Sequence, residues 1–476
     1  MILVEIERVT GIVRGMIKEK PVRVISHYDA DGICSGAILL RALTREGANV
    51  HLTIIKQLRS STLDSLQIQP DHFVIFSDLG SGQLDMIKEK LLDKTQVLVL
   101  DHHQPKDIEH PNLFHINPNL FKEKEISASV ISFFFARSLN SVNNDMIDLA
   151  IVGAVGDALD EKWELKGLNE NVLKQAQMLG KITVTRGLRL YGRNTRPIHK
   201  ALELSMDPYI PGISGSESNA VQFLTELGIK VKSNGEWRYL KDLSMEEQQK
   251  LASAIIIERL KGKSITPEDI FGDIYIINDR KDELSNAREF ATLLNACGRL
   301  GRADLGIRLC YNDEKALIEA RELMNEYRKH LSEYINWIRD NVSNEDVIKI
   351  GKHACFILGK DKIKDTMIGT VTSILLSSDI VNNNKFIFGM AYTEEGDIKI
   401  SARAPREANL SVRDILIEVI KQVGGEAGGH PKAAGATIPK GREEEFIRIV
   451  EKILGDRLGE KTEGKNLVYF SGTKVF

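Results

Sequence analysis

Cysteine is scarce in this chain. Its 476 residues hold four, Cys34, Cys297, Cys310 and Cys355, far apart and with no CxxC pair. That argues against a disulfide framework and a thiolate zinc site, and suits a reducing, cytoplasmic compartment. No uninterrupted apolar run is long enough to span a bilayer, so no membrane association is expected. The opening "MILVEIERVTGIVRG" carries acids and no small-residue cleavage site, and does not read as a secretory signal. Surplus charge is missing too. A formal net charge of -3 excludes binding a polyanion by bulk charge but leaves room for a local basic groove. "RGLRLYGRNTRPIHK" is one such local cluster, and taken alone it reads as solvated surface. Aromatics make up only 6%, and residues that would stack on bases cannot be picked from the sequence.

What is present describes a globular α/β chain. Hydrophobic residues are 42% and charged residues 28%, and the length divides into roughly two to four domains. "VRVIS", "VHLTII", "HFVIFSD" and "QVLVLDHH" are short β-branched runs. The helical stretches "GICSGAILLRALTREG" and "GQLDMIKEKLLDK" fall between them. This alternation predicts a parallel sheet covered on both faces. Helical patterns follow over 127–139 and 145–155. The expected plan is a sheet domain over 1–191 and an inserted, mainly helical module over 192–283. The sheet domain ends over 284–310, a long amphipathic linker helix covers 311–346, and a smaller α/β domain covers 347–476.

"HYDADG" packs His27, Asp29 and Asp31 into five residues, and on a strand end the two aspartates would face the same side. Carboxylates so close repel unless a proton, a cation or water relieves them. Two more strand ends carry similar groups: Asp78 in "IFSD", and Asp101, His102 and His103 in "LVLDHH". Asp157 closes the helical "LAIVGAVGD". Singly, each aspartate reads as a cap or turn former. Ligands of open parallel sheets, however, collect beyond the carboxyl ends of the strands, and capping explains four such groups at one edge poorly. Carboxylates mixed with imidazoles, without thiolate, suit Mn²⁺ or Mg²⁺. More carboxylates than one ion needs implies two ions sharing an aspartate. Such a pair, about 3.5–4 Å apart, clamps the attacking and leaving oxygens of a phosphoryl transfer. Near the C-terminus, "QVGGEAGGHPKAAGATI" holds Gly428, Gly429 and His430, where glycines let backbone N–H groups approach a phosphate. A flexible turn is the plainer reading of that stretch.

In order, "HYDADG", "SD", "LDHH" and "AVGD" resemble the four motifs of the DHH phosphoesterase superfamily. "GGHPKAAG" is similar to the signature of the DHHA1 domain, and "ISARAP" resembles that family's serine-x-arginine element. "LLNACGRLGRADLGIRL" looks like the segment completing the DHH domain of RecJ nucleases. The whole resembles archaeal RecJ-like nucleases associated with the GINS complex. The resemblance implies a two-Mn²⁺ exonuclease acting on single-stranded DNA, 5'→3' and with RNA also open, in replication and repair beside the replicative helicase. It also implies roles. His27, Asp29, Asp31, Asp78, His102 and Asp157 would hold metal. His103 would sit by the scissile phosphate, with Asp101 orienting an imidazole. Arg299 would hold a terminal phosphate, and Ser401, Arg403, Gly428, Gly429 and His430 would bind the strand. The module over 192–283 would dock GINS. Bacterial RecJ has an aspartate at the place of His27. Two alternatives stay open: a small-substrate phosphoesterase of short oligonucleotides or nucleotide phosphates, and a non-catalytic replication scaffold with a vestigial metal site.

Overall fold

The computed structural model describes residues 1–458 apart from 124, 161–162, 194, 206–207, 262–268, 377, 379, 382–384 and 406–407. Two units emerge, 1–330 and 331–476, of which 459–476 lie outside the described residues.

In the first unit, β1 (Val22–His27), β2 (Val50–Ile55), β3 (Phe73–Ser77), β4 (Gln96–Leu100) and β5 (Leu113–Ile116) form an all-parallel sheet in the order β2-β1-β3-β4-β5. Chain order reverses between β1 and β3. That is the topological switch point, where adjoining loops diverge and leave a crevice for ligand. Alternate residues Ile25, Val74, Phe76, Val97 and Val99 pack into one layer with Leu63, Leu84 and Ile87. Against the sheet runs the helix Ala30–Arg45, which also packs on the helices Ala128–Leu139 and Ile147–Gly156. The last of these is almost wholly apolar, because neighbours bury it all round.

Three differences from the sequence expectation stand out. Asp29 and Asp31 do not alternate on a strand: β1 stops at His27, Asp29 caps the following helix and Asp31 lies in its first turn. The expected helix in "GQLDMIKEKLLDK" is broken into a 3₁₀ turn, a single α turn over Leu84–Ile87 and a π-type turn over Lys88–Leu92. β5 and the strand pair described next had no clear signal, since polar residues interrupt "LFHI" and "ITVTRGL".

β6 (Ile182–Leu188) pairs antiparallel with β9 (Phe271–Ile277). Between them a module builds its own core from Leu190, Ile198, Ile210, Phe223, Leu240, Leu251 and Ile255, with helices Ile198–Glu203, Glu217–Glu226 and Met245–Lys261. A small hairpin, β7 (Lys232–Ser233) and β8 (Glu236–Trp237), joins the last two helices. Helix Ala287–Arg299 then returns to pack on Ile147–Gly156, and helix Glu314–Asp340 leads into the second unit.

The second unit is a six-stranded sheet ordered β10-β11-β12-β13-β15-β14. Its strands are β10 (Ile348–Ile350), β11 (Ala354–Lys360), β12 (Phe386–Tyr392), β13 (Ile398–Arg403), β14 (Glu426–Gly429) and β15 (Ala433–Ile438). Helices Val412–Val423 and Glu443–Arg457 cover the face carrying Phe356, Phe388, Ile398, Ile400 and Ala402. Helix Ile368–Leu376 packs on β12 and β13.

Candidate metal centre

The carboxyl ends of β1, β3 and β4 deliver the expected groups to one place. Asp78 follows β3 directly and adopts φ +59°, a left-handed conformation that costs a non-glycine residue energy and turns its carboxylate into the crevice. It is only 2% exposed. Its Oδ2 lies 3.3 Å from His27 Nδ1, and its Oδ1 lies 3.3 Å from His102 Nε2. The two oxygens thus face two different ligand groups. One comprises His27, Asp29 and Asp78, with His27 Nδ1 2.9 Å from Asp29 Oδ2. The other comprises Asp31, His102 and Asp157, with His102 Nε2 3.5 Å from Asp157 Oδ2.

Local structure fixes each group. Asp29 Oδ1 accepts the Gly32 N–H at the start of its helix (3.0 Å), leaving Oδ2 for the crevice. Asp31 accepts the N–H groups of Ala128 (2.7 Å) and Ser129 (3.0 Å), so the N-terminus of a second helix holds it. That contact demands Gly153, where a Cβ would fall 2.5 Å from Asp31 Oδ1 and 2.2 Å from Ser129 Oγ. Asp157 caps the C-terminus of Ile147–Gly156, the expected position.

Asp101 behaves differently. It is fully buried, and its oxygens accept from Ser81 N (2.9 Å), His102 N (2.8 Å), His103 N (3.2 Å) and His103 Nδ1 (2.7 Å). With its lone pairs so engaged it orients His103, leaving that ring's Nε2 as the acceptor. The residues that brace this loop had no signal in the sequence. Asn117 Nδ2 donates to Ser81 Oγ (2.8 Å) and His103 O (2.8 Å), and Asn119 Nδ2 donates to His102 O (2.9 Å). Asn295, inside "LNACGR", accepts the Ala30 N–H (3.1 Å). Three residues further along that motif, Gly298 lies against Tyr28 O. Arg299 donates to the Tyr327 hydroxyl (2.9 Å) with Asp29 and Tyr28 nearby, which puts it beside the crevice.

Without a cation the crevice is electrostatically unbalanced. Burial pushes the Asp31 carboxyl up to about 8, helped by Asp78, and the Asp157 carboxyl up to about 6. Burial alone would lower the His27 and His102 imidazoles, but the carboxylates around them, Asp29 and Asp157 foremost, override it and raise both well above their usual value. Burial would raise Asp29, yet His27 holds it far below the ordinary carboxylate range. His27 Nδ1, Asp78 Oδ2 and Asp157 Oδ2 are buried without a well-aligned hydrogen bond. Hard oxygen and imidazole donors left unsatisfied around two foci fit a pair of divalent cations.

A pH dependence follows. Asp31, Asp157, His27 and His102 all have raised folded-state values, so the stability they contribute is full at low pH and is lost as pH rises through those values. In EDTA, stability should therefore fall from about pH 4, where these carboxyls titrate in the unfolded chain, up to about pH 8, with Asp157 contributing to about pH 6 and Asp31 to about pH 8. Mn²⁺ displaces the protons and should flatten that trend. Thermal unfolding across this range with and without Mn²⁺ measures it, and equal slopes in both would contradict the cation assignment.

In the second unit, Ser401 and Arg403 point off one face of β13. Arg403 donates to Ser373 Oγ (2.8 Å), Ser401 Oγ (3.1 Å) and Gly369 O (3.2 Å). Ser401 pairs with Gly435, and Gly435 with Gly428, so a strip of the sheet is paved by small residues. Gly428 and Gly429 are therefore an edge strand rather than a loose turn, and His430 is in the exposed turn after it.

Comparison with known proteins agrees with this geometry. The DHH family, N-terminal domain matches residues 21–154, the DHH-CID domain 190–270 and the DHHA1 domain 352–456. An uncharacterized protein of Methanocaldococcus jannaschii is 32% identical over 473 residues, covering 96% of this chain and 99% of that protein. The chain belongs to the DHH family. As a DHH protein it is homologous to RecJ. The single-stranded-DNA-specific exonuclease RecJ of Thermus thermophilus is 30% identical over 201 residues, spanning 39% of this chain but only 29% of that protein. Its structure with Mn²⁺ aligns with TM-score 0.58 at 19% identity, over 95% of this chain and 55% of that one. CDC45 from Entamoeba histolytica aligns with TM-score 0.62 at 14% identity, over 95% and 99% of the two chains. These two structural likenesses concern the fold. The DHH-CID match lies in the module between β6 and β9. No helix among the described residues is long and apolar enough to cross a membrane.

Proposed function

We propose that this DHH protein is a divalent-metal-dependent exonuclease that hydrolyses terminal phosphodiesters of single-stranded nucleic acid. The observation carrying the reading is Asp78, whose two oxygens face two separate ligand groups at the switch point. His27, Asp29 and Asp78 would hold one cation; Asp31, His102 and Asp157 would hold the other, with Asp78 shared. Paired cations, Mn²⁺ or Mg²⁺, supply charge neutralisation and an activated nucleophile for phosphodiester hydrolysis. His103, held through Nδ1 by Asp101, presents Nε2 to the developing charge. Arg299 clamps a terminal phosphate with its planar fork. Ser401 and Arg403, with the Gly428–His430 stretch, bind the backbone of the strand.

End-labelled single-stranded DNA and RNA, each incubated with Mn²⁺ or Mg²⁺, should be shortened stepwise from the 5' end, with DNA the better substrate. A dinucleotide should turn over more slowly. Faster turnover of the dinucleotide would favour the small-substrate phosphoesterase. The likeness to CDC45 over nearly all of both chains supports a second role beside the replicative helicase, with the module over 190–270 docking GINS. Capture of GINS subunits by the full chain, and equally by a chain lacking that module, would remove the docking assignment.

A further inference from the structure

A group of arginines around Tyr191 is not accounted for by any of these roles. Arg196 lies 4.8 Å above the Tyr191 ring, and its stem packs on Gly192 (φ +84°), where a Cβ would fall 2.5 Å from Arg196 Cγ. Arg328 comes from helix Glu314–Asp340 and is close enough to Arg196 and Tyr191 to act on both electrostatically. The Nε atoms of Arg196 and Arg328 are buried without a hydrogen bond. Among the described residues neither guanidinium is ion-paired, and Arg196 is hydrogen-bonded to Tyr191. The carboxylate facing Arg193 and Arg196 is Glu289, buried and bonded by the Thr195 hydroxyl (2.5 Å). Three guanidiniums against one carboxylate leave an excess of positive charge in a half-buried setting, where a lone cation is costly.

The place of this group gives it a use. Tyr191 is hydrogen-bonded to Thr292. On helix Ala287–Arg299 that residue shares a face with Asn295 and Arg299, at three and seven positions' distance. Asn295 is the residue that holds Ala30, next to Asp29. At 1.5 Å per residue, Thr292 and Asn295 are about 4.5 Å apart along the axis, and Arg299 lies about 6 Å beyond. Along this helix, Thr292, which carries the Tyr191 group, and Arg299 therefore lie on either side of Asn295.

We propose that Arg196 and Arg328 form a second phosphate site, taking a backbone phosphate of the strand whose end is held at the metal centre. Bidentate acceptance by phosphate oxygens supplies the partners that both Nε groups lack. The proposal rests on the nuclease reading and deepens it: the strand is gripped on both sides of the scissile bond.

The test is fluorescence anisotropy of a labelled oligothymidylate of about a dozen nucleotides with the full chain in EDTA, over a range of salt. R196Q/R328Q should bind about tenfold more weakly. Its plot of log affinity against log salt should be shallower by about 0.7 for each phosphate no longer neutralised. A Mn²⁺-induced rise in melting temperature checks that the variant is folded, and R328Q alone serves if it is not. Unchanged affinity and slope in a folded variant would overturn this site while leaving the nuclease reading intact. Absence of strand cleavage by the unaltered chain would instead overturn that reading.

Discussion

Asp78→Ala should lower strand cleavage by about 10³-fold or more, about 4 kcal/mol of barrier, with either Mn²⁺ or Mg²⁺. The cause is geometric. Asp78 touches both ligand groups, so its loss should open both cation positions at once. The fold should survive, because in the metal-free state this carboxylate adds to the repulsion that raises Asp31 and Asp157. Circular dichroism and melting in EDTA should thus be close to those of the unaltered protein, while the Mn²⁺-induced gain in melting temperature should largely disappear. Cleavage within tenfold of the unaltered protein would remove the paired-cation reading. Loss of cleavage together with a collapsed fold would leave Asp78→Asn as the variant that separates the two effects.

Gly298→Ala should be the most damaging single-methyl change near the site. A Cβ there would fall 1.6 Å from Tyr28 O, a backbone atom that no rotamer change can move aside. The helix Ala287–Arg299 would have to shift off the His27–Gly32 segment, breaking the Asn295 to Ala30 hydrogen bond and displacing Arg299. A loss of about 3 kcal/mol of stability is expected from such overpacking, with a fall in activity. Gly11→Ala is the counterpart. Gly11 sits inside the exposed face of helix Ile2–Glu19 with nothing within 4 Å of its Cβ position. That change should gain about 0.5–1 kcal/mol. Thermal unfolding of both variants decides it, and equal stability of Gly298→Ala and the parent would contradict the close approach.

Much of this was legible because the chemistry sits on strand ends. β-branched runs closing on Asp78 and on Asp101–His103 announce both a parallel sheet and the edge where ligands gather. The pattern worked less well where function departs from regular structure. Asp29 and Asp31 looked like alternating strand residues, yet both belong to the start of a helix, one as its cap and the other in the first turn. Asn117 and Asn119 carried no signal, since an amide that braces a loop from a distant segment has no local spacing to betray it, and Asn295 lay within a recognised motif without being assigned a role. Arg193 and Arg196 were visible within a basic cluster, whereas Arg328, on a distant helix, was not. What separates Arg196 and Arg328 from solvated surface is the burial of their Nε atoms without a hydrogen bond.

The pairing of Leu188 with Phe271 has an evolutionary consequence. The chain departs from the half that carries the acids and comes back to it at neighbouring positions, as the two leads of a plug enter one socket. Whatever is spliced there can lengthen, shrink or acquire new contacts without disturbing the sheet that carries the acids. The inserted module and the acid-bearing sheet are thereby free to diversify on separate schedules within one gene product.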